Sequence, residues 1–283
     1  MIYCKKDWGK CCMKKEKIWK RSILLVLFAC VLVFQNGAIV SAAEAGNTVK
    51  IQKGQVYRNG KAYTGWYTQK SSKYYAVKGK RIKGWKQISH QYYYFENDYK
   101  LAVNKIAGTS KSGYYYVDKS GIRVTTTEIR NAVTFVLKNS NAKASNSVRL
   151  QQCVNALCRY PYRHMSTQAP KAGNLASYAR YMFQNRSGNC YRYAAAMAYI
   201  GRVLGYDSRV TAGGVTARGQ YAALSPHGWC ELRMGNAWRI VDCSMQRVYG
   251  TKLYLVTRKT YPYRLRCDKT YTLTVSSGKV KWA

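Results

Sequence analysis

Hydrophobic positions recur along this chain with two different periods. Ile129, Ala132, Val133, Val136 and Leu137 fall at the i, i+3, i+4, i+7, i+8 spacing of one helix face. Leu150, Cys153, Val154, Leu157 and Cys158 repeat that stripe, and Pro161 closes it. Leu175, Tyr178, Ala179, Met182 and Phe183 repeat it again behind Asn174, a side chain suited to capping a helix start. From Ser208 onward the pattern becomes that of strands, over 209–215, 228–234, 237–243, 252–257 and 271–275. Helices first and strands afterwards predict an α+β domain over residues 125–283.

The stretch before it, 46–124, is different in kind. Gly65-Trp66 recurs as Gly84-Trp85, nineteen residues later. Tyr74-Tyr75 recurs as Tyr92-Tyr93-Tyr94 and again as Tyr114-Tyr115-Tyr116, with Gly79 and Gly121 at turn positions. A short period with aromatic pairs and glycine turns predicts stacked β-hairpins, none of which can bury its apolar face alone. The stretch resembles the choline-binding and glucan-binding cell-wall repeats of Gram-positive bacteria, although its third unit lacks the Gly-Trp pair. That resemblance implies binding to wall polymers such as teichoic acid, choline or glycan, with Trp66, Tyr75, Trp85 and Tyr93 as the ligand-facing rings, because aromatic faces attract quaternary ammonium groups. The alternative is a spacer whose tyrosines only pack together.

Residues 1–45 read as an export signal. Lys14, Lys15, Lys17, Lys20 and Arg21 precede a charge-free apolar run from Ile23 to Phe34, followed by small residues around Ala42 and Ala45. The run is short for a membrane span, and no second one follows. The expectation is a secreted, wall-associated protein with no transmembrane segment after cleavage. Removing 1–45 takes eight of the 48 basic and three of the 11 acidic residues, leaving 40 and 8 and a net charge near +32. That charge predicts a polyanionic neighbourhood. For an exported chain this points to wall phosphates or anionic lipid and to no dedicated nucleic acid. Six cysteines lie beyond the signal: Cys153, Cys158, Cys190, Cys230, Cys243 and Cys267. Most are expected to be small buried thiols.

One of the six sits where chemistry is favoured. Asn189 is a good N-cap and Gly205 a good helix stop, so Cys190 opens a helix whose unpaired N–H groups and dipole stabilise a thiolate. Ala194, Ala195, Ala198 and Gly201 keep that helix slim. Farther on, Gly235-Asn236 predicts a two-residue hairpin turn. Counting outward from Met234 opposite Ala237 sets Trp229 opposite Asp242, and His227 then lies diagonally across from Asp242 on the same face. A carboxylate there would orient the imidazole and stabilise its charged form. A one-residue slip would separate the pair.

These residues resemble the motifs of the transglutaminase-like superfamily. Gly188-Asn189-Cys190 with Tyr193-Ala194 looks like its first motif, His227-x-Trp229-x-Glu231 its second, and Trp238-x-x-x-Asp242 its third. The resemblance implies a papain-like core, a cysteine helix packed on an antiparallel sheet. It also implies Cys190 as nucleophile, His227 as base then acid, and Asp242 as orienting group. Gln184 either supplies a second oxyanion donor or is an exposed helix end. Trp229 either lines the acyl channel or fills core. Glu231 either anchors Arg239 or a substrate amine, or forms a solvated ion pair. His90 and His164 suit no zinc module; the implied chemistry needs neither metal nor cofactor. Peptide or protein substrates follow, for a peptidase, amidase or cross-linker. The rival readings are a wall-binding adhesin with an inactive transglutaminase-like fold, and a binder of nucleic acid or anionic membrane.

Overall fold

A computed structural model describes residues 48–165, 168–219 and 221–283. The segment expected to be an export signal lies outside them. Among the described residues no helix is long and apolar enough to cross a membrane. The described residues divide into two compact units, 48–63 and 64–283. In the first, strands β1 (Val49–Gln52), β2 (Gln55–Arg58) and β3 (Lys61–Ala62) form an antiparallel sheet in that order. Its turns, Lys53-Gly54 and Asn59-Gly60, hold both residues at positive φ, the turn whose twist matches that of hairpin strands.

The second unit opens with three small antiparallel sheets. They are β4 (Gly65–Gln69) with β5 (Ser72–Val77) and β6 (Lys80–Arg81), then β7 (Gly84–Ile88) with β8 (Gln91–Phe95), then β9 (Lys105–Thr109) with β10 (Gly113–Val117) and β11 (Arg123–Val124). Trp66 stands opposite Tyr75 and Trp85 opposite Tyr94. The repeat seen in the sequence is therefore a repeat of cross-strand aromatic pairs. In the third hairpin Ile106, opposite Tyr116, takes the tryptophan's place. His90 is exposed and forms the β7–β8 turn with Ser89, both at positive φ.

Four helices follow: α1 (Thr127–Asn139), α2 (Asn146–Cys158), α3 (Leu175–Asn185) and α4 (Cys190–Val203). The remaining chain builds β12 (Ser208–Val215), β13 (Ser225–Met234), β14 (Ala237–Val241), α5 (Cys243–Tyr249), β15 (Tyr254–Val256), β16 (Leu265–Ser276) and β17 (Lys279–Trp282). The strands make one six-stranded sheet in the order β15-β14-β13-β12-β16-β17, antiparallel throughout. This is the α+β architecture expected, with helices packed on an antiparallel sheet. Helix α4 runs through the core and buries every residue except Arg192. Its small residues permit a close approach: a Cβ on Gly201 would lie 2.4 Å from Leu232 Cδ2 of β13.

Two features depart from the sequence expectation. The strand expected over 237–243 stops at Val241, because the Asp242 side chain accepts the Met245 N–H and caps a helix there. Strand β16 is far longer than 271–275, because its first half is mostly exposed and carries no apolar alternation. The six described cysteines are free thiols, and only Cys267 is exposed.

Candidate active site

The Asn189 carboxamide accepts the Arg192 N–H and fixes the start of α4. Cys190 is thereby the first helical residue, among N–H groups with no intrahelical acceptor. The helix start presses on β13 so closely that a Cβ on Gly228 would lie 2.4 Å from the Tyr191 ring. Gly228 follows His227, so this contact brings the sulfur to the imidazole. Cys190 adjoins His227 closely enough to contribute, after Asp242, to the upward shift of that ring's pKa.

On the other side, His227 Nε2 lies 2.7 Å from Asp242 Oδ2. With Nε2 taken, Nδ1 is the nitrogen left to serve the sulfur. The β13–β14 register runs from Met234 opposite Ala237 to Cys230 opposite Val241, which is the register counted from the Gly235-Asn236 turn. Cys190, His227 and Asp242 are 5%, 4% and 2% exposed, so bulk water barely reaches their charges and each interaction is strengthened.

The Asp242 carboxylate is well supplied with donors. Oδ2 accepts from His227 and from the Tyr261 hydroxyl at 2.7 Å. Oδ1 accepts from Ser244 Oγ at 2.9 Å and from the Met245 N–H at 3.1 Å. Burial alone would raise its pKa, yet the imidazolium charge and these bonds outweigh burial and hold it below the usual carboxylate value. For His227, burial likewise opposes the charged form, but the Asp242 charge and hydrogen bond, with Cys190 contributing less, prevail and raise its pKa to about 10.

The other expected site residues are placed differently. Gln184 is an exposed residue near the end of α3 and borders a hollow lined by Phe135, Tyr160 and Phe183. Trp229 is fully buried. Its indole N–H is donated to Glu231 Oε1 at 2.9 Å, and its ring stacks on His227 at 6.0 Å. It is core that braces the histidine; it does not line a channel. Glu231 does not hold Arg239. It is buried and pairs with Arg209 and Arg258. His164 is exposed and sits edge-on to Tyr162 at 5.1 Å. No group of three or more His, Cys, Asp or Glu among the described residues could hold a metal ion.

Two tyrosines near the reacting groups escape sequence reasoning. Tyr261 reaches Asp242 from the segment between β15 and β16, and no periodicity marks it. Tyr162 is paired in a parallel bridge with Gly188, a non-local contact that no local pattern encodes. In the hairpin region, Trp66, Tyr75 and Tyr93 do come together, with Trp66 4.9 Å from Tyr93 and 5.2 Å from Tyr75, and Phe95 joins them. A hollow of about 340 Å³ lies beside Trp66 and Tyr93. Trp85 belongs to a separate cluster with Tyr94 and Tyr115, into which the Arg123 guanidinium projects, 3.9 Å from the Tyr92 ring and 4.7 Å from the Tyr115 ring.

Residues 131–243 are a transglutaminase-like domain: they match the family model of the transglutaminase-like superfamily. Among solved structures, the chain is similar to the choline binding domain of a Streptococcus pneumoniae protein, at 29% identity and a TM-score of 0.21, over 23% of this chain and 98% of that one. It is similar to a presumed cysteine protease from Cytophaga hutchinsonii, at 13% identity and a TM-score of 0.34, over 51% of this chain and 50% of that one. A third is the arylamine N-acetyltransferase from Mycobacterium abscessus, at 17% identity and a TM-score of 0.26, over 54% and 55%. The chain thus spans about half the length of the latter two. No curated protein matches it.

Proposed function

We propose that this protein is an exported, wall-associated cysteine enzyme that forms an acyl-thioester on Cys190 and passes the acyl group to water or to an amine. The observation that carries the reading is the buried relay itself. One imidazole nitrogen is 2.7 Å from a carboxylate that four donors keep ionised, and the Cys190 thiol at the helix tip lies buried beside the same ring. In the reaction, Cys190 attacks a carboxamide or peptide carbonyl, and His227 hands its proton to the leaving amine. Water then gives peptidase or amidase chemistry, whereas a lysine amine gives an isopeptide cross-link. Residues 125–283 would carry this chemistry. Residues 46–124 would hold the enzyme at wall polymers through the Trp66, Tyr75 and Tyr93 rings, raising its effective concentration near wall peptides. Residues 1–45 would direct export.

Incubating wild type and Cys190→Ala with cell-wall peptides and an amine donor, read by mass spectrometry, tests the reaction. We expect Cys190-dependent products: adducts of the donor's mass for transfer, fragments for hydrolysis. A wild-type protein that yields the same spectrum as the alanine variant would leave the adhesin reading in its place.

A further inference from the structure

The aromatic cluster around Trp85 already holds a cation of the chain's own. Arg123 stands on β11, opposite Val117 of β10. The residue before it, Ile122, bridges to Tyr93 of β8. Strand β11 therefore reaches from the third hairpin to the second and lays Arg123 against rings of both. Its guanidinium carbon is 3.9 Å from the Tyr92 ring centre, 4.7 Å from that of Tyr115 and 5.5 Å from that of Trp85. All three distances lie within the reach of a cation–π attraction. The place a quaternary ammonium group would take among these rings is filled.

A guanidinium can stack on rings and still present its planar fork of N–H donors. The Arg123 side chain makes no hydrogen bond or ion pair among the described residues. Arg130, in the first turn of α1, brings a second guanidinium to the Tyr115 ring, 4.1 Å from its centre. It gives one N–H to Tyr114 O at 3.1 Å. The carboxylates on the neighbouring chain are committed elsewhere, Asp118 to three backbone N–H groups and Glu128 to Arg180. The buried indole N–H of Trp85 has no acceptor among the described residues either. The cage thus collects positive charge and donors without a matching acid. Two like charges held against one ring repel each other, and an anion bound to both relieves this. Guanidinium forks match the oxygens of a phosphate.

We propose that Arg123 and Arg130 make the Trp85 cage a binding site for the phosphodiester groups of a wall polymer and close it to quaternary ammonium groups. The inference rests on the wall-binding part of the reading above and is independent of the chemistry at Cys190. It reverses the charge of the ligand that the aromatic repeat alone would predict at Trp85.

The indole N–H resonance of Trp85 in isotope-labelled full-length protein, assigned by its loss in Trp85→Phe, reports on the cage. We expect a saturable shift with dimethyl phosphate and none with tetramethylammonium. Arg123→Met fills the space without the charge and should weaken phosphate binding about tenfold, the worth of one charged hydrogen-bonding partner. Arg130→Met should weaken it from the helix side, which keeps the test decisive where the first variant disturbs the hairpins. Lys111→Met removes an equal charge from the exposed turn of the third hairpin and should leave binding unchanged. Equal weakening by Lys111→Met would mean diffuse attraction, and a Trp85 response to tetramethylammonium would mean an open cage. Either overturns the proposal, as does a Trp85 resonance that ignores dimethyl phosphate. Retention on purified cell walls identifies the source of the phosphate and should fall with Arg123→Met. Retention unchanged on walls but lowered on immobilised DNA would put nucleic acid in the polymer's place. A wild-type protein whose Trp85 answers dimethyl phosphate but which walls do not retain would remove the wall-binding reading and leave the anion site.

Discussion

His227 and Asp242 hold opposite charges where solvent barely reaches, and each depends on the other for its protonation state. The imidazole's folded pKa is raised to about 10, above the unfolded value of about 6.5. Its contribution to stability is therefore complete below about pH 6.5 and is lost as pH climbs through the folded value. Asp242 acts in the opposite sense: its lowered pKa gives stability that disappears only in acid. Wild type should lose melting temperature between pH 7 and pH 10 more steeply than His227→Gln, and the difference between the two curves isolates the pair. Asp242→Ala strips the ring of its counter-charge and should cut Cys190 acylation about 10³–10⁴-fold, with a stability loss of about 3–5 kcal/mol for the orphaned ion. This pair was legible in the sequence because a two-residue turn fixes a register, and a register fixes which side chains meet. Tyr261 and Tyr162 were not legible, since each arrives from a segment whose position depends on how the helices dock.

Elements, rather than single residues, set the distance between the thiol and the ring. Helix α4 meets β13 at Gly228, where there is room for hydrogen and no more: a Cβ would stand 2.4 and 2.8 Å from two atoms of the Tyr191 ring. Gly228→Ala has to push the helix start from the strand. Overpacking of this sort costs about 1–3 kcal/mol, but the larger effect should fall on chemistry. Iodoacetamide labelling of Cys190 should slow well beyond the change in thermal stability, because the displacement separates sulfur from imidazole. Labelling at the wild-type rate would show that Tyr191 simply turns aside. The slim face of α4 was readable from its alanines and Gly201, and so was the strand after it. Helix α5 was not, because its signal is one aspartate that also serves the histidine. A residue that caps a helix and holds the His227 ring carries two roles, and its place in a strand-like run hides the first.

At the scale of the whole molecule, the last hairpin is bonded into the domain that carries the site. Asp118 is fully buried. Its Oδ1 accepts the N–H groups of Ser120 and Ile122, and its Oδ2 accepts that of Gly278, at 2.8 Å, in the turn between β16 and β17. Asn104 donates to Gly205 O at the end of α4 and accepts the Tyr116 hydroxyl, and Lys119 pairs with Asp207. The change of sequence character at Val124 therefore marks a change of architecture inside a contiguous packed unit that runs from 64 to 283. Composition reveals the first and cannot reveal the second, because the joining groups are single polar side chains far apart in sequence. Asp118→Ala leaves the part-buried N–H groups of Ser120, Ile122 and Gly278 without that acceptor, each bond contributing about 1 kcal/mol. The full-length variant should melt well below wild type, in one transition that takes Cys190 reactivity with it. Two separate transitions, with the thiol unaffected by the first, would mean that hairpins and catalytic core unfold independently, and that the repeats tether the enzyme without supporting it.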